Sequence, residues 1–493
     1  MHIVHVASEM APIAKVGGLA DAVTGLAKAQ QKRNHVSVIL PKYSLLSLDA
    51  KEIRLDMQFP CEKKRISYDV RVFHTEIEKI PVYLIETSPL LDHFYEQKIY
   101  LGTKRDSERF IYFCKTVAEY LIRKNQEIDV LHLHDWHSAL MAPLVKEVYL
   151  SLKVLVKSVA LSIHNLAYTG KFSLSDLEEI HYPLTHTECF SSKGFFFTYY
   201  SLMRGGLGLC DALVTVSPGY AKEILTKKYA CGFVDLLEKR RDSISGILNG
   251  IDEELWDPEK DLLIPHRFPK NASLDEILLA KRNNKRALQK RLGLQEEGRP
   301  LIVCISRLAD QKNPELMKNG LIFATKQFAQ GILLGTSPLK KKQAHFEKLA
   351  KTYEHHPHLR FIPLFSNELS RWLYAAADFL FMPSKFEPCG LTQMIAMKYA
   401  CVPIVHHIGG LKDTIFDPRY EKDSKKVNGF YFTKSSFSIA KETINYALDV
   451  WKKDRCKTLI ENGMSASYSW DAPAKKYEAI YKQIVAKNRP LEK

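Results

Sequence analysis

Arg307 and Lys312 follow closely on the apolar run Leu301 to Ile305, and from one loop both could reach a single anion. Such a pair suits a departing diphosphate, because negative charge grows on the leaving group as its bond breaks and fixed cations stabilise that change. Two surface cations on an exposed loop would look the same in sequence. A second candidate lies in Phe379 to Leu411, FLFMPSKFEPCGLTQMIAMKYACVPIVHHIGGL. Pro383, Pro388 and Gly390 hold a loop open, and a helical pattern begins near Leu391 and continues through Met394, Ala396 and Met397. A helix entered this way offers unpaired backbone N–H groups and its positive dipole end to the loop before it. Glu387 fits there as a group that orients a neutral, hydroxyl-rich molecule while the amides face an anion. A plain Pro/Gly turn accounts equally for EPCG.

Polar residues recur after apolar runs elsewhere. Ile3 to Ala7 leads to Lys15, Val16, Gly17 and Gly18, where adjacent glycines allow close backbone approach and lysine supplies a mobile charge. Asp129 to Leu133 leads to His134, Asp135, Trp136 and His137, and Val159 to Ile163 leads to His164 and Asn165. Leu213 to Val216 ends at Ser217, Pro218 and Gly219. In a parallel sheet such strand ends converge on one edge. Each histidine taken singly is more often structural than catalytic, and only the pair of such strand ends weighs the two readings evenly.

The elements that must position these groups alternate strand and helix. Helical patterns follow from Leu19 toward Gln30 and from Glu108 to Lys124, and His35 to Leu40 completes a first βαβ start. Tyr68 to Phe73 and Ile80 to Ile85 read as a peripheral hairpin or sheet addition. The charged run Lys281 to Arg291 reads as a mainly solvent-facing helix. Leu301 to Ile305, Gly331 to Leu334, Phe361 to Ile362, Phe379 to Met382 and Ile404 to Val405 supply a second set of strands, which puts a boundary around 245 to 250. Tyr182 to Arg204 is aromatic-rich, with Phe190, Phe195, Phe196, Phe197, Tyr199 and Tyr200, and suits either core packing or a flat sugar face.

At 493 residues the chain exceeds the size at which one core keeps growing, so two domains are expected. A content of 46% hydrophobic and 26% charged residues is that of an ordinary soluble protein. No apolar run approaches the roughly 18 residues of a membrane span, and MHIVHVASEM reads as a first strand rather than a secretion signal. The nine cysteines lack metal-like spacing, which fits reduced thiols in a cytoplasmic protein. HExxH is absent, GxGxxG is absent, and so NAD, FAD and a structural metal are disfavoured. A net charge of +15 suits an acidic or phosphorylated partner, yet no basic tract interleaved with aromatics marks a nucleic-acid binder. No repeat with a period of about 20 to 50 residues is present, which sets solenoids aside. The architecture that fits is α/β, two doubly wound halves facing a deep cleft.

Taken together, KVGGL at 15–19, HDWH at 134–137, HNLAYTG at 164–170, SRLADQK at 306–312, FEPCGLTQ at 386–393 and GGLKDT at 409–414 resemble the bacterial glycogen synthases, close to the plant starch synthases. The resemblance runs in order from the first strand to about residue 480. It implies the GT-B fold, two Rossmann-like domains facing an interdomain cleft. Residues 1–248 would be the acceptor-side domain, 249–465 the nucleotide-sugar-binding domain, and 466–493 a C-terminal helix crossing back to the first. It implies retaining transfer of glucose from ADP-glucose to the non-reducing 4-hydroxyl of an α-1,4-glucan, with no cofactor or metal, no nucleic acid and no membrane as partner. The chain contains no Asp-x-Asp, in keeping with cations rather than a divalent ion at the diphosphate.

The same resemblance assigns Arg307 and Lys312 to the diphosphate, with Lys15 and the Gly17–Gly18 turn assisting. Glu387 would bond sugar hydroxyls, and Cys389, Gly390, Leu391 and Thr392 would line the glucose and phosphate pocket. His164 would contact the transferred glucose, Asp135 would orient donor or acceptor, and Asn249 would sit on the sugar side near the hinge. No carboxylate in this set is a convincing covalent nucleophile, which favours a front-face, oxocarbenium-like transfer. Departures from the family pattern are His407 and Ile408 before GGL, a shortened loop at Gly335 to Pro338, and Arg204 in place of a lysine. A UDP-glucose-dependent enzyme of the same fold and a non-catalytic glucan-binding protein are the alternatives.

Overall fold

The computed structural model describes residues 1–44, 46, 52–87, 98–193, 198–269 and 271–488. Phe195, Phe196 and Phe197 of the aromatic stretch lie outside the described residues. The chain divides into two compact units, Met1–Gly250 with Trp470–Lys493, and Ile251–Ser469.

The first unit carries β1 (His2–Val6), β2 (His35–Pro41), β3 (Arg54–Lys63), β4 (Ile66–Ile77), β5 (Ile80–Glu86), β6 (Ile128–His134), β7 (Val156–Ile163), β8 (Lys171–Phe172), β9 (Ser191–Lys193), β10 (Thr198–Ser201), β11 (Ala212–Thr215) and β12 (Ile244–Gly246). Among the described residues, nine of these form one sheet in the order β12-β11-β7-β6-β1-β2-β5-β4-β3. It is parallel from β12 to β5, because the helices between strands return the chain to the same edge, and antiparallel only where the hairpins β3–β4 and β4–β5 extend it. Of the two expected readings, a peripheral hairpin or a sheet addition, the hairpins are an addition to the edge of the main sheet. Apolar residues on β1, β2, β5, β6, β7 and β11 pack with helix Gly18–Gln30 and helix Asp471–Asn488 in one core. The latter helix buries Ala474, Tyr477, Tyr481, Ile484 and Val485, and Arg33 clamps it by a guanidinium fork on Glu478 at 2.8 and 3.1 Å. In the aromatic stretch, Phe190 is fully buried against Phe172 and Tyr182, which is core packing.

The second unit holds β13 (Leu301–Ile305), β14 (Gln330–Leu334), β15 (Leu359–Ile362), β16 (Phe379–Met382), β17 (Val402–His406) and β18 (Phe430–Phe432), all parallel in the order β15-β14-β13-β16-β17-β18. Strand β18 is too short to stand out in sequence. Helix Leu274–Leu292 departs from the expected solvent-facing reading, because Lys281, Asn284, Lys285 and Gln289 are buried. Lys281 donates to the carbonyls of Tyr374, Ala375 and Tyr399, and Lys285 pairs with Asp378, so these two charges are turned inward while Arg282, Arg286, Lys290 and Arg291 stay exposed. Among the described residues no helix is long and apolar enough to cross a membrane.

In the parallel part of each sheet the strand order changes direction at one place, between β1 and β6 in the first unit and between β13 and β16 in the second. The loops leaving the carboxyl ends at such a point diverge and leave a crevice for a ligand.

Candidate active site

In the second unit the switch point brings together the two loops singled out by residue type. Lys312 follows β13 and Glu387 follows β16, and Nζ of Lys312 donates to Oε2 of Glu387 at 2.5 Å. The same oxygen accepts from the hydroxyl of Ser384 at 2.9 Å, and the carboxylate is buried. The loops are stitched along their backbones as well, with Lys385 N–H donating to the carbonyl of Gln311 at 2.8 Å. Ser384 is held in turn by His406, whose Nδ1 donates to the Ser384 carbonyl at 2.6 Å. Arg307 is exposed at the end of β13, and its guanidinium has no protein partner among the described residues.

Past Glu387 the chain turns at Gly390, where φ is +76°, a conformation that glycine adopts without strain. Cys389 is buried, while Leu391 and Thr392 are half-buried at the start of helix Thr392–Lys398. No side chain caps that helix start, which leaves its first N–H groups facing the loop. Gly410 packs directly under this loop: its N–H donates to the Glu387 carbonyl at 3.0 Å, and a Cβ there would lie 2.2 Å from the Cys389 carbonyl oxygen. The shortened loop is anchored to the Arg307 loop, with Leu308 N–H donating to Thr336 and the Ser337 hydroxyl to Leu308. His407 stacks on Tyr431 with ring centroids 3.9 Å apart, and Ile408 is buried, so neither departure from the family pattern leaves a gap.

In the first unit, Asp135 stands directly after β6 with φ +57°. Its Oδ1 accepts from the backbone N–H groups of His164 at 2.7 Å and Asn165 at 3.2 Å, which ties the end of β6 to the end of β7. Burial pushes its carboxyl up to about 7 against the pull of those two N–H groups. The Nε2 of His164 bonds Nδ1 of His134 at 3.0 Å, and burial pushes the His164 imidazole down to about 3. Asn249 is buried, and its Oδ1 has no protein partner among the described residues. Lys15 and Gly18 are exposed, and the Lys15 ammonium sits 2.6 Å from Asp21.

Two kinds of site residue escaped the sequence. Glu9 is buried and accepts from Val16 N–H at 2.6 Å, Gly17 N–H at 3.0 Å and the Tyr100 hydroxyl at 2.5 Å, so it holds the turn that carries Lys15. The Gly17 N–H is thereby engaged within the protein. The only trace in sequence is an acidic residue just past the first strand. The second is a buried group of histidines: ring nitrogens of His5, His132 and His134 lie within 4.8 Å of one another, a grouping that could coordinate a metal ion. Their common face follows from register, since His5 lies opposite His132 and His134 is two residues further along β6.

A family model described as the starch synthase catalytic domain matches residues 2–239, and one described as glycosyl transferases group 1 matches residues 258–465. The glycogen synthase of Protochlamydia amoebophila is 37% identical over 99% of this chain and 100% of its own length. Glycogen synthase 1 of Trichormus variabilis is 34% identical over 98% of this chain and 99% of its own. The solved catalytic domain of starch synthase IV from Arabidopsis thaliana, bound to ADP and acarbose, superposes with a TM-score of 0.91 at 34% identity, covering 98% of this chain and 99% of that one. With its two Rossmann-like halves and this full-length likeness, the chain belongs to the glycogen and starch synthase family of GT-B glucosyltransferases.

Proposed function

We propose that this protein is a retaining glucosyltransferase that moves glucose from ADP-glucose to the non-reducing 4-hydroxyl of an α-1,4-glucan such as glycogen. The observation that carries the reading is the Lys312–Glu387 pair at the β13/β16 switch point, its carboxylate buried, with Arg307 on the same loop and without a protein partner for its guanidinium among the described residues. A cation and a carboxylate fixed together there suit a substrate that is anionic at one end and hydroxyl-rich at the other. The full-length likeness to glycogen synthases, and to a starch synthase that binds ADP, supports the choice of donor.

In this reading Arg307 and Lys312 take up the charge of the departing diphosphate, and Lys15 with the Gly17–Gly18 turn assists. Glu387 orients the glucose hydroxyls and stabilises positive character at the reacting carbon without bonding to it. Cys389, Gly390, Leu391 and Thr392 line the pocket for glucose and phosphate. His164 contacts the transferred glucose, Asp135 holds the His164–Asn165 backbone that faces donor or acceptor, and Asn249 offers its free Oδ1 to a sugar hydroxyl. The leaving phosphate oxygen takes the acceptor proton as the new glycosidic bond forms on the same face. The side chains of Arg307 and Lys312 serve where a divalent ion would otherwise neutralise the diphosphate. Residues 1–248 serve the acceptor side and 249–465 the nucleotide sugar, and of the stretch 466–493 the part Trp470–Lys493 is grouped with the former. The free, mostly buried thiols suit work in the cytoplasm.

A donor competition with glycogen present tests it: ADP-glucose is expected to outpace UDP-glucose, with label entering the glucan. Binding of ADP-glucose without transfer, Arg307 and Lys312 being intact, would overturn the assignment. Trapping a glucosyl ester on Glu387 during turnover would replace the front-face route by a covalent one.

A further inference from the structure

The carboxamide of Gln30, at the end of helix Gly18–Gln30, is fully buried and stands between two branches of hydrogen bonds. Its Nε2 donates to the hydroxyl of Tyr481 at 3.3 Å, and its Oε1 lies 2.9 Å from Nε2 of His5. A carbonyl oxygen only accepts, so the proton in that contact is on His5. A neutral imidazole has one N–H and one lone pair, so His5 Nδ1 accepts, and His134 Nε2 donates to it at 2.9 Å. His134 Nδ1 then accepts from His164 Nε2 at 3.0 Å. On the other branch the Tyr481 hydroxyl, having accepted from Gln30, donates to His132 Nδ1 at 2.6 Å, and His132 Nε2 donates to the Ser162 hydroxyl at 2.8 Å. Every contact has one donor and one acceptor. Turning the carboxamide over would reverse both branches together, and a second proton on His5 or His134 would set two N–H groups face to face.

We propose that Gln30, braced by Tyr481 of the terminal helix, is a positioning residue for His164, fixing it as the Nε2–H tautomer so that its Nδ1 lone pair is offered to a sugar hydroxyl. Nδ1 of His164 has no protein partner among the described residues, which leaves it for substrate. Burial reinforces the arrangement by keeping the rings uncharged, with His5 lowered to about 4 and His132 and His134 well below their ordinary value. A metal ion on His5, His132 and His134 would need three free lone pairs, whereas Nδ1 of each already accepts a hydrogen bond. The proposal rests on the reading that His164 touches the transferred glucose.

The test is imidazole 15N NMR on the full chain labelled at histidine, beside steady-state kinetics with ADP-glucose and glycogen. In the unmodified protein His164 is expected to show a pyrrole-type Nε2 and a pyridine-type Nδ1. Gln30→Met removes both ends of the carboxamide, and Tyr481→Phe, which keeps the ring that packs the helix, removes the brace alone. Both are expected to give a mixture of His164 tautomers and to lower kcat about tenfold or more, with KM for ADP-glucose changed by less than about twofold. An Nδ1–H tautomer in the unmodified protein, a tautomer unmoved by Tyr481→Phe, or a stoichiometric metal ion in the purified protein would overturn it. The expected tautomer without glucosyl transfer would instead overturn the reading of the site, because the NMR signature does not depend on activity.

Discussion

The ammonium of Lys312 and the carboxylate of Glu387 are joined at 2.5 Å although 75 residues separate them in the chain. Their side chains are 19% and 6% exposed, so this is a mostly desolvated pair, in which loss of one partner strands the other charge.

Lys312→Ala is therefore expected to reduce kcat on the order of 100- to 1,000-fold, the scale seen when a group stabilising developing charge is removed. Lys341→Ala, on the exposed face of helix Lys340–Thr352, should leave turnover within about twofold of normal, as surface substitutions usually do. Equal and small effects at saturating donor would take Lys312 out of the site.

Gly410 leaves no room for a side chain, since a Cβ would meet the Cys389 carbonyl oxygen at 2.2 Å and its Cα at 2.5 Å, both backbone atoms that cannot swing aside. Gly410→Ala should destabilise the protein by about 3 kcal/mol or more and abolish donor binding. Gly208, in helix Leu202–Leu209, has nothing within 4 Å of that position. Gly208→Ala should be neutral or stabilising by up to about 1 kcal/mol. Thermal melting with ADP binding separates the two.

Glu9 supplies charge-assisted hydrogen bonds to the N–H groups of Val16 and Gly17. Glu9→Ala should speed amide hydrogen exchange at those two residues by about tenfold or more, given about 1.5 to 3 kcal/mol per such bond. Exchange measured on core strand β6 should not change. Unaltered exchange at Val16 and Gly17 would show that the turn holds without the carboxylate.

Burial pushes the Lys281 ammonium down to about 8 from 10.5. Between those values the unfolded chain holds the proton that the folded chain has lost, so unfolding takes up a proton and stability rises with pH across that window. In denaturant titrations from pH 8 to 10.5, Lys281→Met should show a smaller rise than the unmodified protein. Identical slopes would mean that Lys281 stays charged in the fold.

Local pattern was enough for the alternation of strands and helices and for where the reactive loops begin. An apolar run such as Phe379–Met382 declares a buried strand by itself, and EPCG declares a loop through residues with restricted or unusual backbone freedom. The residue types were legible too, because Arg307, Lys312 and Glu387 bring two basic groups and one carboxyl group to the loops that follow two strands. The buried face of helix Leu274–Leu292 was not, since a lysine that ends on three carbonyls looks in sequence like one that ends in water.

What the tertiary structure alone decided is which groups meet. Glu9 and the turn at Val16, Ser384 and His406, and above all Gln30 and Tyr481, 451 residues apart, are joined by contacts with no periodicity to announce them. Hydrogen bonds are short-ranged and directional, so a donor and an acceptor far apart in the chain become partners only once strand order and register have set their positions to within a few tenths of an ångström. The amino-acid sequence by itself determined the parts and their order; the contact of His164 with His134 and the pairing of Glu387 with Lys312 were decided by the tertiary fold.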